Sequence, residues 1–300
     1  MNVNESNALE SVSPLNFKEF AQTFSALLQP SRSNEYDCMI QIAQTVFQQR
    51  NVNERPVRLL SVGAGTGSFE KKLVQELGLK LEFIYAVEPN PIHVALLQLS
   101  LEEINCKFHI DTSFFHHNFK LDDTISGQED QGFDIILMSQ CLYTFDDPLR
   151  ASIHSLNFLK TNGSLFIINQ GDSACSEIFG YLLQRSDPSV FNVQLAIQDH
   201  TLTANKIASY FASQRPDISV DLLEKVAKID IDQFIRADDA TRYDDIISFF
   251  LQAEYRNLSK KARKDVYDIV SKHCEVIGGR YFVSHSCVGI VISNCIKMTQ

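Results

Sequence analysis

The sequence has few positive charges and no polybasic run. Its 300 residues include 27 Lys and Arg against 37 Asp and Glu, a formal net charge of −10 at pH 7. Nucleic acids and anionic membrane surfaces are bound mainly through clustered Lys and Arg side chains. The charge balance therefore argues against both kinds of partner and favours a positively charged or neutral small molecule.

The sequence also lacks a long hydrophobic run. No window supplies the ~20 apolar residues that a membrane-spanning helix needs. Residues 1–14 are polar and lack the basic-then-apolar order of a signal peptide. Seven cysteines are scattered without a C-x-x-C pair, so zinc and redox motifs are unsupported and no metal site is expected. Reduced thiols and a cytoplasmic location are the resulting expectations.

A glycine-rich turn follows an apolar run in the segment LLSVGAGTGSFE, residues 59–70. In α/β proteins such a turn joins a strand to a helix, and its glycines let the backbone approach an adenosine cofactor. The spacing is G-x-G-x-G at Gly63, Gly65 and Gly67, whereas a dinucleotide site favours G-x-G-x-x-G, whose last position is Ser68 here. The loop therefore favours S-adenosylmethionine (SAM) over NAD.

An acid follows at the distance that this kind of site requires. The segment LEFIYAVE, residues 81–88, is largely apolar and ends in Glu88, 21 residues beyond Gly67. Rossmann-like sites place an Asp or Glu about 20 residues after the loop, where its carboxylate accepts hydrogen bonds from ribose hydroxyls. A solvated acid at a strand end is the simpler alternative, and the preceding glycine loop favours the ribose role.

Strand and helix patterns alternate along the chain and predict a doubly wound α/β fold. Near-continuous apolar strands such as residues 133–138 are typical of a parallel sheet covered on both faces. We predict strands at 57–62, 81–88, 106–111, 133–138, 164–169, 217–224 and 280–292. We predict helices at 16–28, 34–49, 68–77, 91–102, 148–159, 174–185 and 203–212, a turn at 161–163, and mostly helix at 230–274.

Two further segments narrow the class of protein. The strand at 133–138 leads into SQCLY at 139–143, at the carboxyl edge of the sheet where open α/β folds bind ligands. Together with LSVGAGTG at 60–67, VEP at 87–89 and EYDCM at 35–39, it resembles the histamine N-methyltransferase family of class I SAM-dependent methyltransferases. The resemblance covers most of the chain and implies a cytoplasmic, monomeric enzyme that methylates a small amine.

The resemblance also implies an architecture. It predicts a Rossmann-like class I methyltransferase fold with a seven-stranded, mostly parallel sheet, an antiparallel last strand and helical additions that cover the substrate. Residues 1–55 would form an N-terminal helical cap contributing to the substrate site. Residues 56–300 would form the SAM-binding domain, with a helical insertion at about 230–274.

The family pattern implies roles for individual residues. In this pattern Glu35 would lie near the ammonium tail of the substrate and Gln140 near its ring. The implied cofactor contacts are Gly63, Gly65, Gly67, Glu88, Ser113 and Ser139. The implied substrate contacts are Glu35, Gln140, Tyr143 and His285, with Phe20, Phe24 and Phe250 as further aromatic walls.

The chemistry agrees with a ring-nitrogen acceptor. The sulfonium methyl of SAM is already activated, so the protein must mainly align an acceptor lone pair with it. An aliphatic amine, with a pKa of about 10, would first lose a proton, whereas an imidazole with a pKa of about 6.5 is mostly neutral at pH 7. Gln140 can hold the ring tautomer, and Glu35 can offset an ammonium charge.

Departures from the family pattern leave the acceptor open. His285 stands where the histamine enzymes usually carry Asn, Thr144 replaces a usual tyrosine, and His93 replaces a usual Gln. A protonated His285 would suit a carboxylate-bearing imidazole such as histidine or an imidazole dipeptide. Alternatives are an oxygen or another small-amine acceptor with His285 as base, or a SAM-binding interaction protein without catalysis.

Overall fold

The computed structural model describes residues 15–112, 132–142, 145, 147–171, 173–183 and 203–294. The chain forms two compact units. We call Asp37–Gly171, Leu202–Lys225 and Cys287–Gln300 the sheet unit. We call Met1–Tyr36, Asp172–Thr201 and Val226–Ser286 the helical unit. In the part of the chain that the structure describes, no helix is both long and apolar enough to cross a membrane.

The sheet has the strand order β3-β2-β1-β4-β5-β8-β6, with β7 paired to β8 outside this path. Pairing is parallel from β3 through β5, and β8 runs antiparallel to β5. These features confirm the predicted doubly wound, mostly parallel sheet with an antiparallel last strand. The described residues form eight strands where seven were predicted, because the short strand β7 adds to β8. The strands are β1 Val57–Val62, β2 Leu81–Val87, β3 Lys107–Asp111, β4 Phe133–Ser139, β5 Leu159–Gln170, β6 Ile218–Asp230, β7 Cys274–Ile277 and β8 Arg280–Asn294.

The central strands supply the core of the sheet unit. Every residue of β1 is buried, and so are the first six of β4, because helices cover both faces of a parallel sheet. The helix α4 begins where Asn90 caps its first turn, by accepting from the Ile92 N–H, and Pro91 occupies the first helical position. The helices of this unit are α2 Glu35–Gln49, which begins in the helical unit, α3 Ser68–Gln75, α4 Pro91–Ile104, α5 Pro148–Ser155 and α7 Ala204–Gln214.

The helical unit packs short helices around aromatic side chains. Its first helix begins with a capping box, in which Asn16 accepts from the Glu19 N–H and the Glu19 carboxylate accepts from the Asn16 N–H. The side chain of Arg32 forms an ion pair with the buried Asp244. The remaining helices are α1 Phe17–Leu27, α6 Ala174–Leu183, α8 Asp232–Arg236, α9 Asp245–Leu251 and α10 Lys260–Lys272.

Three local predictions were wrong. The helix α5 ends at Ser155 and β5 begins at Leu159, so residues 161–163 lie inside a strand. They occupy an irregularity where the pairing with β4 jumps from Phe133↔Leu159 to Ile135↔Ser164, which explains their turn-like composition. The strand β6 extends to Asp230, beyond the predicted end at residue 224. The strand β7 was not predicted, and it follows the predicted helical stretch with an overlap only at Cys274.

Candidate cofactor site and acceptor residues

The glycine loop, residues 63–67, joins β1 to α3. Gly63, Gly65 and Gly67 have φ angles of +67°, +57° and +72°, a backbone region that disfavours other residues. A Cβ on Gly63 would lie 2.5 Å from the Cβ of Cys141, so this position also needs glycine for packing. A Cβ on Gly65 would meet no protein atom within 4 Å. The loop therefore has a tight side and, at Gly65, an open side that a ligand can approach.

Glu88 follows β2 and turns its carboxylate toward the glycine loop. The side chain is buried, and Oε2 accepts a hydrogen bond of 2.7 Å from the Gly65 N–H. Oε1 accepts from the Asn90 N–H at 2.8 Å, and the Nδ1 atom of His93 lies 3.7 Å from the same oxygen. Because each carboxylate oxygen has a second lone pair, Glu88 can also accept from the hydroxyls of a ribose. This geometry fits the role predicted for Glu88.

The end of β4 lies beside the end of β1, where the strand order reverses. Ligands bind at such a switch point in open α/β sheets. Ser139 is the last residue of β4, and Gln140 follows with a φ angle of +49°, uncommon for a residue other than glycine. The Gln140 N–H donates to the Ile168 carbonyl at 2.8 Å, and the Cys141 thiol donates to the Val62 carbonyl at 3.2 Å. These bonds hold the strained turn at the predicted ligand edge.

Glu35 and His285 come together in the helical unit. Glu35 is the first residue of α2, His285 lies in β8, and both side chains are buried. The Nε2 atom of His285 lies 3.5 Å from Oε1 of Glu35. The Glu35 N–H donates to the Ser33 hydroxyl at 3.0 Å, which fixes the start of the helix. Two residues that the sequence predicted as substrate contacts from distant segments are therefore neighbours.

Aromatic rings extend from this pair. The Phe250 ring lies 5.7 Å from the His285 ring, and Phe249 contacts Phe250 at the same centroid distance. Phe20 and Phe24 of α1 each lie 5.5 Å from Phe249. A row of aromatic faces beside a buried carboxylate suits a small organic cation, by cation–π attraction and a charge-assisted hydrogen bond.

Two predicted contacts lie outside the described residues. These are Ser113, predicted to contact SAM, and Tyr143, predicted to contact the substrate. The roles of both residues remain predictions.

Glu70, just beyond the glycine loop, is a buried acid that the sequence reasoning missed. It lies in the first turn of α3, with only 2% of its surface exposed, and Oε1 accepts from the Ser61 hydroxyl at 2.5 Å. Burial raises the pKa of its carboxyl to about 7, and the nearby Glu88 carboxylate adds to the increase. The available signal was the helical spacing of Glu70 and Leu73, which puts the acid on the inward face.

A doubly wound sheet with a G-x-G-x-G loop, and with an acid at the end of the second strand, defines the class I SAM-dependent methyltransferases. A comparison with protein families agrees, since residues 32–189, more than half of the chain, match the family described as "Methyltransferase domain". The chain belongs to this methyltransferase family. It is a SAM-dependent methyltransferase, and SAM is its cofactor.

Solved structures resemble the chain at low identity. The YcgJ protein from Bacillus subtilis is 14% identical, with a TM-score of 0.50 over 84% of this chain and 99% of that chain. The plantazolicin methyltransferase BpumL, solved in complex with S-adenosylhomocysteine (SAH), is also 14% identical. It covers 93% of this chain and 96% of its own, with a TM-score of 0.45. No curated protein matches the chain.

Proposed function

We propose that the methyl acceptor is a small imidazole-containing amine such as histamine. The observation that carries this proposal is the buried pair of Glu35 and His285, with Phe250 beside the His285 ring. A carboxylate in an aromatic setting favours an ammonium group over a neutral or anionic one. The sequence resemblance to histamine N-methyltransferases supports the same acceptor class.

The reaction requires alignment more than acid–base chemistry. The imidazole nitrogen supplies the electron pair of the new N–C bond, and the SAM sulfur keeps the pair of the broken S–C bond. Since a neutral imidazole already has a free lone pair, holding the substrate by its ammonium tail and its ring is sufficient for orientation. We assign the tail to Glu35, and the ring tautomer to the side-chain amide of Gln140.

The test is methyl transfer from labelled SAM to histamine, histidine, carnosine and amines without an imidazole. We expect transfer to histamine, and a KM for histamine at least about tenfold higher in Glu35→Gln, because the variant loses a charge-assisted hydrogen bond. Asp37→Asn is the matched control, because this carboxylate is exposed two residues along the same helix. Transfer to amines without an imidazole, and to none with one, would refute the proposal.

Gln140→Asn tests the second contact. The shorter side chain keeps an amide and tolerates the positive φ angle of this position, so folding should be little affected. If the amide of Gln140 holds the ring, the variant loses kcat on histamine while its SAM affinity stays close to that of the wild type. Unchanged kcat would remove Gln140 from the acceptor site.

The position of His285 beside Glu35 supports a second candidate for the methyl acceptor. An imidazole beside a carboxylate is a common arrangement for a general base, which an aliphatic amine or a hydroxyl acceptor would need. A protonated His285 would instead bind the carboxylate of histidine or an imidazole dipeptide. His285→Asn separates these cases, because it would abolish transfer to a hydroxyl or aliphatic amine, weaken carboxylate-bearing imidazoles, and spare histamine. SAM binding without transfer to any of these acceptors would refute both candidates.

A further inference from the structure

The buried carboxylate of Glu70 has only part of its hydrogen-bonding capacity used. Oε1 accepts from the Ser61 hydroxyl on β1, whereas Oε2 is buried without a hydrogen-bond partner in the residues that the structure describes. A buried carboxylate oxygen without a donor is costly when the group is ionised. The geometry therefore favours the protonated acid as long as no positive charge is near.

The charged groups around Glu70 add to this preference. Glu88 faces it and raises its pKa, and the buried Cys141 thiol has its own pKa raised by burial and by both carboxylates. His93, on α4, lies beside Glu88, and Lys71 of α3 is already paired with Glu103 of α4. Among the described residues, no cation forms an ion pair with Glu70.

Glu70, Glu88 and Cys141 each contact the end of β1 or the glycine loop, next to the switch point of the sheet. Glu70 accepts a hydrogen bond from Ser61, which lies in β1 two residues before the glycine loop. Cys141, just beyond β4, packs against Gly63. Cofactors bind at this edge in open α/β sheets. SAM carries a sulfonium cation, whereas SAH carries a neutral thioether. The two ligands therefore differ in the charge that they bring to a site already rich in acids.

We propose that Glu70 makes this site sensitive to the charge of the cofactor, losing its proton when SAM binds and regaining it when SAH is formed. The proton goes to solvent on SAM binding. Methyl transfer then removes the positive charge from the sulfur, and Glu70 takes a proton back from solvent. By linkage, a rise in pH through the titration range of Glu70 strengthens the binding of SAM relative to the binding of SAH. The inference does not depend on which acceptor the enzyme methylates.

Calorimetric titration of SAM and SAH, in buffers with different ionisation enthalpies, measures this proton directly. In the wild type we expect proton release with SAM, largest below pH 7, between the pKa values of Glu70 in the free and in the SAM-bound enzyme. We also expect a Kd ratio of SAH to SAM that rises about tenfold between pH 6 and pH 8. In Glu70→Gln the ratio should not change with pH, and the proton release should fall. Comparing each ligand between the two proteins cancels protons that the ligand itself releases. Glu76→Gln, on the exposed end of the same helix, should behave as the wild type.

Two further variants keep the test decisive. Ser61→Ala removes the side-chain donor that the described residues provide to Glu70, so the pH at which proton release is largest should move upward. His93→Gln removes the nearby imidazole and should retain the release. The proposal would be overturned if SAM binding no longer released a proton in His93→Gln but still released one in Glu70→Gln, because the proton would then come from His93. Equal pH dependence of SAM and SAH in the wild type would overturn it as well.

Discussion

Glu70 gives the fold a stability that depends on pH. Its folded pKa of about 7 lies above the ordinary value of 4.5, so the folded chain holds a proton that the unfolded chain releases. The resulting stabilisation is fully present below pH 4.5 and is lost as pH rises through 7. We therefore expect Glu70→Gln to be more stable than the wild type at pH 8 without cofactor, with a free energy of unfolding about 3 kcal/mol higher. Urea denaturation at several pH values measures this difference.

The size of the difference should follow the titration. It should shrink steadily as the pH is lowered from 7 toward 5, because the wild-type acid becomes neutral like the amide. Glu76→Gln provides the control, since its exposed carboxylate pairs with Lys72 at the surface and contributes little. A Glu70→Gln variant that is less stable than the wild type at pH 8 would contradict the burial of an ionisable acid at this position.

At the scale of single residues, the sequence predicted what depends on local spacing. The glycine positions and the acid 21 residues further on follow from the strand-turn-helix pattern. In the structure the three glycines have positive φ angles and Glu88 accepts from the Gly65 N–H, while their contacts with the cofactor remain predictions. Glu70 was missed because its state depends on a contact with Ser61 and on a neighbouring carboxylate, neither of which is local in sequence. The left-handed backbone of Gln140 likewise follows from bonds to β5.

At the scale of elements, substitutions at two glycines of the same loop should affect folding stability and SAM binding to different degrees. In Gly65→Ala a methyl group would meet no protein atom, so we expect only the backbone strain of a positive φ angle, about 1–2 kcal/mol of unfolding free energy. The methyl would occupy the open side of the loop, so SAM affinity should fall at least tenfold. Thermal unfolding and SAM titration of the same variant measure the two effects.

Gly63→Ala should show the opposite balance. Its methyl would lie 2.5 Å from the Cβ of Cys141, so clash adds to strain and the loss of stability should exceed that of Gly65→Ala. Equal stability losses in the two variants would contradict the packing at Gly63. Unchanged SAM affinity in Gly65→Ala would place the cofactor elsewhere.

The elements themselves were predictable where the hydrophobic pattern is long. The strand β1 spans residues 57–62 as predicted, because six consecutive buried positions between turn signals leave little ambiguity. Residues 161–163 have the composition of a turn but form an irregularity inside β5. The strand β7 has only four residues, too few to show a period, and pairing with β8 determines its conformation.

At the scale of the whole molecule, the order of strands and helices was sufficient to predict the doubly wound sheet. The helical unit was not predictable in this way, because it gathers three separated stretches of chain and no local pattern marks them as one body. The division of the chain at residue 55, with a substrate role for the N-terminal part, remains a prediction.

The net charge of −10 leads to a prediction for the whole molecule. A negative protein raises the local concentration of a cationic substrate, and salt screens this field beyond a Debye length of about 10 Å at 0.1 M. If the acceptor is a cationic imidazole amine, its KM should rise severalfold between about 20 and about 300 mM NaCl, with SAM saturating and kcat nearly unchanged.

Two comparisons show whether the charge of the acceptor is responsible. Carnosine is zwitterionic at pH 7, so if it is methylated its KM should change much less with salt than that of histamine. Glu35→Gln should raise the KM of histamine at every salt concentration but keep most of the salt dependence, because one carboxylate is a small part of the total charge. A histamine KM that is independent of salt would mean that recognition is local, by Glu35 and the rings around it, and that the overall charge does not contribute.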